Sequence, residues 1–600
     1  STAELRSNLI ERLHDFRTSQ QRGTVVDFDP ATFDPDHMFA RMGGGSLGGK
    51  GRGLAFVATL LDTYRIGEGF PEVRISVPSG VVLGTDVFDQ FIEENNLQEF
   101  ALSSDDDDLI RERFVAQKLP PYIVQSLRAL VTLLTCPLAV RSSSLLEDSQ
   151  HLPFAGIYDT YMLANNSQTI DERLKDLTTA IKLVFASAFS AKARAYMRAT
   201  PYRLEEEKMA VVIQRLVGTV RGDRFYPDFA GVAKSHNFYP VAPMEKEDGV
   251  VSVGLGLGTQ VVEGGATVRF SPKYPRHIIQ FSSPEDALTY SQREFFALDL
   301  GEHTAGTIVG RDFPLARCDL HTAEEDGTLN AVGSTYSAEN NAIYDGLGRK
   351  GTRIVSFAPV LKSGVFPLAD MLRLLLEVGR SSMSAAVEIE FAVNLGSSSE
   401  ETGEFAIVQM RPMVINDHWE DILPTEFEQE QLVCESRQVL GNGIIDGVTD
   451  IVTVDLNKFD RSATKIVAAE VGLFNHRLTN EERPYVLFGI GRWGSSDPWL
   501  GIPVSWEQIS GAKVIIETGF EDIKVTPSQG SHFFQNLATM EIGYFTIDHL
   551  AGDGFIDWDW LLSQATVEEQ KYTRHIRLKE PLSIRMSGRE NHGVILKPEE

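Results

Sequence analysis

"LAVRSSSLLEDSQHLPFAGIYDTY" occupies residues 138–161. Leu138, Ala139 and Val140 read as the apolar end of a buried strand, and Arg141 follows them directly. A solvated loop needs no arginine locked behind three apolar residues, so the guanidinium is expected at a strand terminus, its fork aimed into a cleft. Ser142, Ser143 and Ser144 add hydroxyls, Glu147 and Asp148 an acidic pair, and Phe154-Ala155-Gly156 a small tripeptide before the next apolar segment. Two readings stand side by side. In one, Arg141 and the serines meet an anion. In the other, a serine caps a helix and Arg141 makes a structural ion pair with Glu147 or Asp148.

The bulk properties narrow the choice. A chain of 600 residues is too long for one core, and roughly three or four domains are expected. Apolar and charged fractions of 42% and 23% are those of an ordinary globular protein. The net charge of -28 argues against nucleic acid or an anionic membrane as the main partner. An acidic protein that binds a polyphosphate must therefore gather its positive groups locally. No apolar run is long enough to span a bilayer and no signal peptide is read. Cys136, Cys318 and Cys434 are widely spaced, show no metal-ligand pattern, and fit buried small hydrophobes in a reducing, cytoplasmic setting. The chain begins at Ser1, which leaves room for an upstream domain or targeting segment.

The expected fold class is α/β (α+β). Residues 1–40 form an N-terminal leader in which Leu5, Leu9 and Leu13 repeat at helical spacing. Residues 41–415 alternate short apolar strands with amphipathic helices and glycine-rich turns. The stretch 171–197 reads as one helix and 368–383 as another. Residues 416–483, opening with acidic "PTEFEQEQL", read as a connector with some strand content. Residues 484–600 resume an α/β pattern with strands "YVLFGIG", "AKVIIET", "IGYFTI" and a last strand in "HGVILKPEE".

Three further stretches of the large segment carry chemistry. "MGGGSLGGKGRGLAFVATLL" leads glycines, Lys50 and Arg52 into an amphipathic helix. Glycines let backbone N–H groups approach a polyphosphate, and a lysine adds a point charge. The order is not that of a Walker A loop, because Gly51 follows Lys50, and a plain flexible loop would also explain it. "VEIEFAV" and "FAIVQMRPM" flank a polar loop and read as an antiparallel hairpin. Alternation puts Glu388 with Glu390, and Gln409 with Arg411, on common faces. Buried carboxylates demand a cation, and hard oxygen ligands suit Mg²⁺, which bridges nucleotide phosphates, while Arg411 offsets phosphoryl charge. The third, "VVSVGLGLGTQVVEGG", places Gly254, Gly256 and Gly258 after a strand, a weak signal alone.

Taken in order, these stretches resemble the nucleotide-binding domain of the phosphoenolpyruvate synthase and pyruvate phosphate dikinase family. The family's "GGKGxxLA" is matched by "GGKGRGLA", "VRSSxxxED…FAGxxxT" by Val140 to Thr160, and "GLGExVVxG" by "VGLGLGTQVVEGG". "DIEx…LQxRP" is matched by the carboxylate hairpin, with Glu388 where the family has aspartate, and "VVIQRLVG" is similar to its adenine-cleft strand. The resemblance implies a two-subdomain ATP-grasp fold. It implies ATP and Mg²⁺ as ligands, with Lys50, Arg141, Gln214, Gly256, Gly258, Gln409 and Arg411 on the nucleotide and Glu388 and Glu390 on the metal. It also implies a phosphoryl group passed to a histidine on a swivelling domain. No pyruvate-binding barrel fits in the residues after 484.

His532 follows "AKVIIET" and a Ser-Gln-Gly-Ser turn, and opens an apolar helix. Helix N-terminal N–H groups would stabilise a phosphohistidine, and the family's carrier segment is similar, although the doubled Phe533-Phe534 departs from it. A structural histidine at a helix start explains the same residues. "GRWGSSDPWLGIPVSW" reads either as a second ligand site or as a rigid turn. The expected function is an ATP-dependent phosphotransferase with Arg141, Arg411 and His532 as catalytic groups and an unknown acceptor, served by a separate partner subunit or an upstream domain. The alternative is a catalytically reduced ATP sensor or scaffold. A carboxylate–amine ligase of the ATP-grasp fold is disfavoured by the 138–161 segment.

Overall fold

The computed structural model describes residues 25–598 apart from 37, 145–146, 148–154, 199, 201, 282, 302–314, 397–401, 416–426, 498–499, 520–524, 526, 528, 530 and 549–551. The leader read at Leu5–Leu13 lies outside the described residues. The chain is a mixed α/β protein with several sheets. Two six-stranded sheets carry the large segment. In the first, Leu138–Ser144 lies between Thr160–Leu163 and Met209–Arg215, and Gly80–Leu83 follows. In the second, Phe229–Lys234, Val387–Asn394 and Gly403–Pro412 are consecutive neighbours. Leu138–Ser144 and Val387–Asn394 are buried almost throughout, so the polar side chains they carry need partners inside the protein.

The hairpin forms with a register that pairs Glu388 with Arg411 and Glu390 with Gln409, and a bulge follows Glu390. The glycine-rich stretch folds differently from a loop. The helix Gly48–Thr63 already contains Lys50. Gly48 has φ +70° and a Cβ there would lie 1.7 Å from the Ser143 carbonyl oxygen, so the glycine permits helix and strand backbones to touch. The stretch read as one helix over 171–197 is two, Ile170–Ser187 and Ala191–Arg198.

Residues 432–480, read as part of a connector, belong to a ten-stranded C-terminal sheet and its first crossover helix. Leu432–Ser436 and Asn442–Val454 are strands of that sheet, and Asn442–Val454 pairs antiparallel with Thr573–Ser587. The partner of Asn442–Val454 lies more than a hundred residues downstream, which is why local reading missed it. Four strands, Asn442–Val454, Tyr485–Ile490, Ala512–Thr518 and Gly543–Ile547, run parallel in that order. Helix Thr464–Asn480 connects the first two, and helix His532–Thr539 lies between the last two in sequence. Loops after the carboxyl ends of parallel strands are where open α/β sheets bind ligands, and His532 follows such an end. One apolar core runs from Phe91 and Phe185 in the first region to Val467, Phe474, Phe534 and Leu537 in the last. The C-terminal region is thus packed onto the large segment. Among the described residues no helix is long and apolar enough to cross a membrane.

Candidate active site

The strand Leu138–Ser144 presents Arg141 between its two sheet neighbours toward the hairpin of the second sheet. Arg141 donates to the Val408 carbonyl at 2.7 Å, to Gln409 Oε1 at 2.9 Å and to Glu390 Oε2 at 3.1 Å. The ion pair expected with Glu147 is made by another cation: Lys50 Nζ donates to Glu147, and to Ser142 Oγ at 3.3 Å. Ser143 ties the start of the glycine helix, accepting from Gly51 N at 3.0 Å and donating to the Leu47 carbonyl at 2.7 Å. Two of the three serines therefore hold Lys50 and its helix in place.

On the hairpin, Arg411 Nε donates to Glu388 Oε1 at 2.9 Å, and Lys234 Nζ lies 2.9 Å from Glu388 Oε2. Both Glu388 oxygens thus face cations of the protein, and this carboxylate does not line the cavity described below. For Glu388 to hold a metal as expected, the ion would have to displace Arg411 or Lys234 from it. Burial pushes the Glu388 carboxyl up, but Arg411 and Lys234 outweigh it and hold it below the ordinary range.

Glu390 is different. It points into a cavity of about 580 Å³ together with Lys50, Arg141, Gln214, Gln409 and Arg411. Burial again pushes its carboxyl up, and His532, Arg141 and Arg411 together hold it well below the ordinary carboxylate range. Gln214 is buried on Met209–Arg215 and donates to the Pro78 carbonyl at 3.2 Å. Gly258 lines the cavity; Gly256 does not, and its turn (φ +84°) instead packs against Phe295 and Phe296.

His532, from the C-terminal region, enters this same cavity. Ser531 caps its helix, accepting from Phe534 N at 3.2 Å. His532 Nε2 lies 3.7 Å from Glu390 Oε1. Burial lowers the pKa of the imidazole, with Glu390 pulling the other way, so the neutral ring gains weight near neutral pH. Residues 532, 535 and 536 share one helical face. Gln535 accepts from Arg411, and Asn536 makes a two-way clamp with Ala155, donating to its carbonyl at 2.9 Å and accepting from its N–H at 3.3 Å. Gly156 (φ +61°) completes the fit: a Cβ there would lie 2.5 Å from His532 Nδ1. The Ala155-Gly156 pair of the opening stretch is therefore the seat of the His532 helix. Lys192, which donates to the Gly156 carbonyl, and Lys234, Gln535 and Asn536 escaped sequence reading. Only the adjacency of Gln535 and Asn536 to His532 was a signal. "GRWGSSDPWLGIPVSW" turns at the left-handed Gly491 and Gly494 and contributes Ser495, Ser496 and Trp506 to the wall of the same cavity, and Ser496 N donates to the Glu263 carbonyl at 3.1 Å.

Among the described residues no group of three or more His, Cys, Asp or Glu side chains is arranged to hold a metal ion. Glu390 and the Gln409 carbonyl are the oxygen donors that line the cavity from the hairpin. That donor set suits a hard cation sharing its shell with phosphate oxygens, as Mg²⁺ does in nucleotide sites.

Comparison with known proteins gives the family. A segment of the chain is 31% identical over 200 residues to "Uncharacterized phosphotransferase YvkC" of Bacillus subtilis, covering 32% of this chain and 21% of that protein. Phosphoenolpyruvate synthase of Aeropyrum pernix is 28% identical over 242 residues, 37% of this chain and 26% of the relative. Phosphoenolpyruvate synthase of Escherichia coli is 28% identical over 238 residues, 36% and 27% respectively. The chain spans only about a quarter of the length of these relatives. Residues 45–431, well over half of the sequence, match the family described as pyruvate phosphate dikinase, AMP/ATP-binding domain, and the chain belongs to that family.

Proposed function

We propose that the protein is an ATP-dependent phosphotransferase of the ATP-grasp type in which His532 accepts the phosphoryl group before an acceptor yet to be identified. The observation that carries this reading is that His532, more than a hundred residues beyond the hairpin, shares one cavity with Lys50, Arg141, Glu390, Gln409 and Arg411. ATP is the substrate expected in the cleft. Lys50, Arg141 and Arg411 would offset the charge of its phosphates, and Gln214 and Gly258 would border the rest of the nucleotide. Glu390 and Gln409 would hold Mg²⁺, which supplies charge neutralisation to the phosphates when bound.

The step balances simply. The lone pair of a neutral His532 nitrogen forms an N–P bond as the bridging P–O bond of the nucleotide breaks, and the bonding electrons leave on the nucleotide oxygen. The ring keeps its proton on the other nitrogen. Arginine and lysine donors fixed around the leaving oxygen lower the barrier because they need no reorganisation. Phosphate entering the cleft competes with Glu388 and Gln535 for Arg411, which ties nucleotide binding to release of the His532 helix. Such release is what a carrier that travels to a second site requires.

Incubation with MgATP, followed by measurement of acid-labile phosphate and of AMP, ADP and phosphate, tests the proposal. Label on the wild type and none on His532→Ala is the expected result. AMP with phosphate marks dikinase chemistry and ADP an ordinary kinase. Label retained by His532→Ala overturns the carrier assignment. Bound, intact ATP with no label supports the second reading, a nucleotide sensor. That reading draws on Lys50 and Arg411 being already neutralised by Glu147 and Glu388.

A further inference from the structure

A second cavity, of about 570 Å³, lies behind the first. Val261, Gly264 and Ser531 line it, while their chain neighbours Val262, Glu263 and His532 line the nucleotide-type cavity. One thin wall of chain therefore separates the two. The second cavity has three arginines and two aspartates on its wall, Arg269, Arg437, Arg492, Asp286 and Asp548. Arg437 is exposed at the rim, whereas Arg269 and Arg492 are half-buried and walled in by protein.

Arg269 comes from the strand Val268–Phe270 and Arg492 from Arg492–Trp493, so the large segment and the C-terminal region each supply one guanidinium. Burial first, and then the neighbouring Arg492, push the Arg269 guanidinium down to about 9. Glu517 and Asp497 act in the opposite direction on Arg492, and an anion against the two guanidiniums would relieve the repulsion that Arg269 still meets. Arg269 spends one N–H on the Pro527 carbonyl at 2.5 Å, and a guanidinium has five donors in a fork matched to carboxylate or phosphate oxygens. Apolar groups such as Val261 and Phe270 supply the rest of the wall, which suits a compact apolar body.

We propose that this interdomain cavity binds a small organic anion, a phosphate or carboxylate group on a compact apolar body, with Arg269 and Arg492 as its anion-binding pair. The site stands on its own residues and does not depend on phosphotransfer at His532. Its occupant would rest beside Ser531, at the start of the His532 helix, and would bridge the two regions.

Calorimetric titration of the full chain with phenyl phosphate, and separately with benzoate, tests this. At least one of the two is expected to bind the wild type, and which one binds tells a phosphate site from a carboxylate site. Arg269→Gln is expected to weaken that binding by about tenfold or more, equivalent to about 1.4 kcal/mol. Arg269→Lys, which keeps the charge and loses the fork, gives a smaller loss and decides the matter if the glutamine variant fails to fold. Arg411→Met, in the other cavity, leaves the affinity unchanged. Absence of binding by both anions in the millimolar range overturns the proposal. So does binding that neither Arg269 variant weakens, or binding that Arg411→Met removes.

Discussion

Among the described residues His575 and His532 both sit beside buried carboxylates, and of the two His532 faces open space. His575 Nε2 lies 2.7 Å from Asp450 Oδ1 and its Nδ1 lies 2.7 Å from Arg477. Asp450 also accepts from Arg577 at 2.7 Å and from Arg483 at 2.6 Å. Histidine and aspartate are both fully enclosed, and neither borders a described cavity. His532 and Glu390 have the same chemistry, a carboxylate flanked by two arginines and an imidazole, but they line a cavity large enough for a nucleotide. Composition alone does not tell the two clusters apart, and the open space beside His532 does.

The contrast is open to experiment. His532→Ala should abolish acid-labile phosphate on the protein while leaving the urea midpoint almost unchanged. His575→Ala should do the reverse, costing about 2–4 kcal/mol of stability and sparing the label per folded molecule. Equal stability losses in the two variants would erase the distinction. Next in size, Arg411→Met should reduce ATP consumption by about 10²–10³-fold, as expected for removing a fixed donor to developing charge. An unchanged steady-state rate would place the chemistry elsewhere.

Gly156→Ala tests the seat of the helix. The added methyl meets His532 and the backbone is left-handed there, so single-turnover labelling should slow by about tenfold or more while nucleotide affinity, measured by calorimetry, holds. The smallest effect is on acid stability. Burial pushes the Asp450 carboxyl up, but His575, Arg577 and Arg483 outweigh it and leave its pKa depressed in the folded state. A depressed carboxylate contributes stability that is fully present above its unfolded value of about 3.9 and is lost as pH falls through the folded one. Wild-type urea midpoints should therefore drop on acidification below about pH 4, and Asp450→Asn should show a shallower decline.

Several elements are legible in the order of residues alone. The alternation of Glu388 with Glu390 and of Gln409 with Arg411 predicts both faces of the hairpin, because a strand has a two-residue period and no other arrangement fits. Arg141 behind three apolar residues predicts a guanidinium at a strand end facing a cleft; it lines one, but from the middle of Leu138–Ser144, because the three serines continue the strand. The misreadings have physical causes too. Glycines 48, 49, 51 and 53 look like a loop because propensity disfavours them in helices, yet close backbone packing on Ser143 requires Gly48. The cations on Glu388 are only half legible, because Arg411 is its hairpin neighbour whereas Lys234 sits on a strand whose pairing with Val387–Asn394 has no local signature. The 416–483 segment looks like a connector because Asn442–Val454 is broken by glycines and aspartates, and its partners are Tyr485–Ile490 and Thr573–Ser587, both outside the segment.

What the amino-acid order determined by itself was the inventory and its local geometry: which side chains are charged, which face of a strand or helix each occupies, and where glycine permits close approach. What only the tertiary structure decided was company. The docking of residues 532–539 on Ala155 and Gly156, the meeting of His532 with Glu390, and the shared lining of one cavity by Arg269 and Arg492 all join residues more than a hundred positions apart. Such contacts arise from the burial of one continuous apolar core, and burial depends on the summed surfaces of whole elements and not on any short stretch.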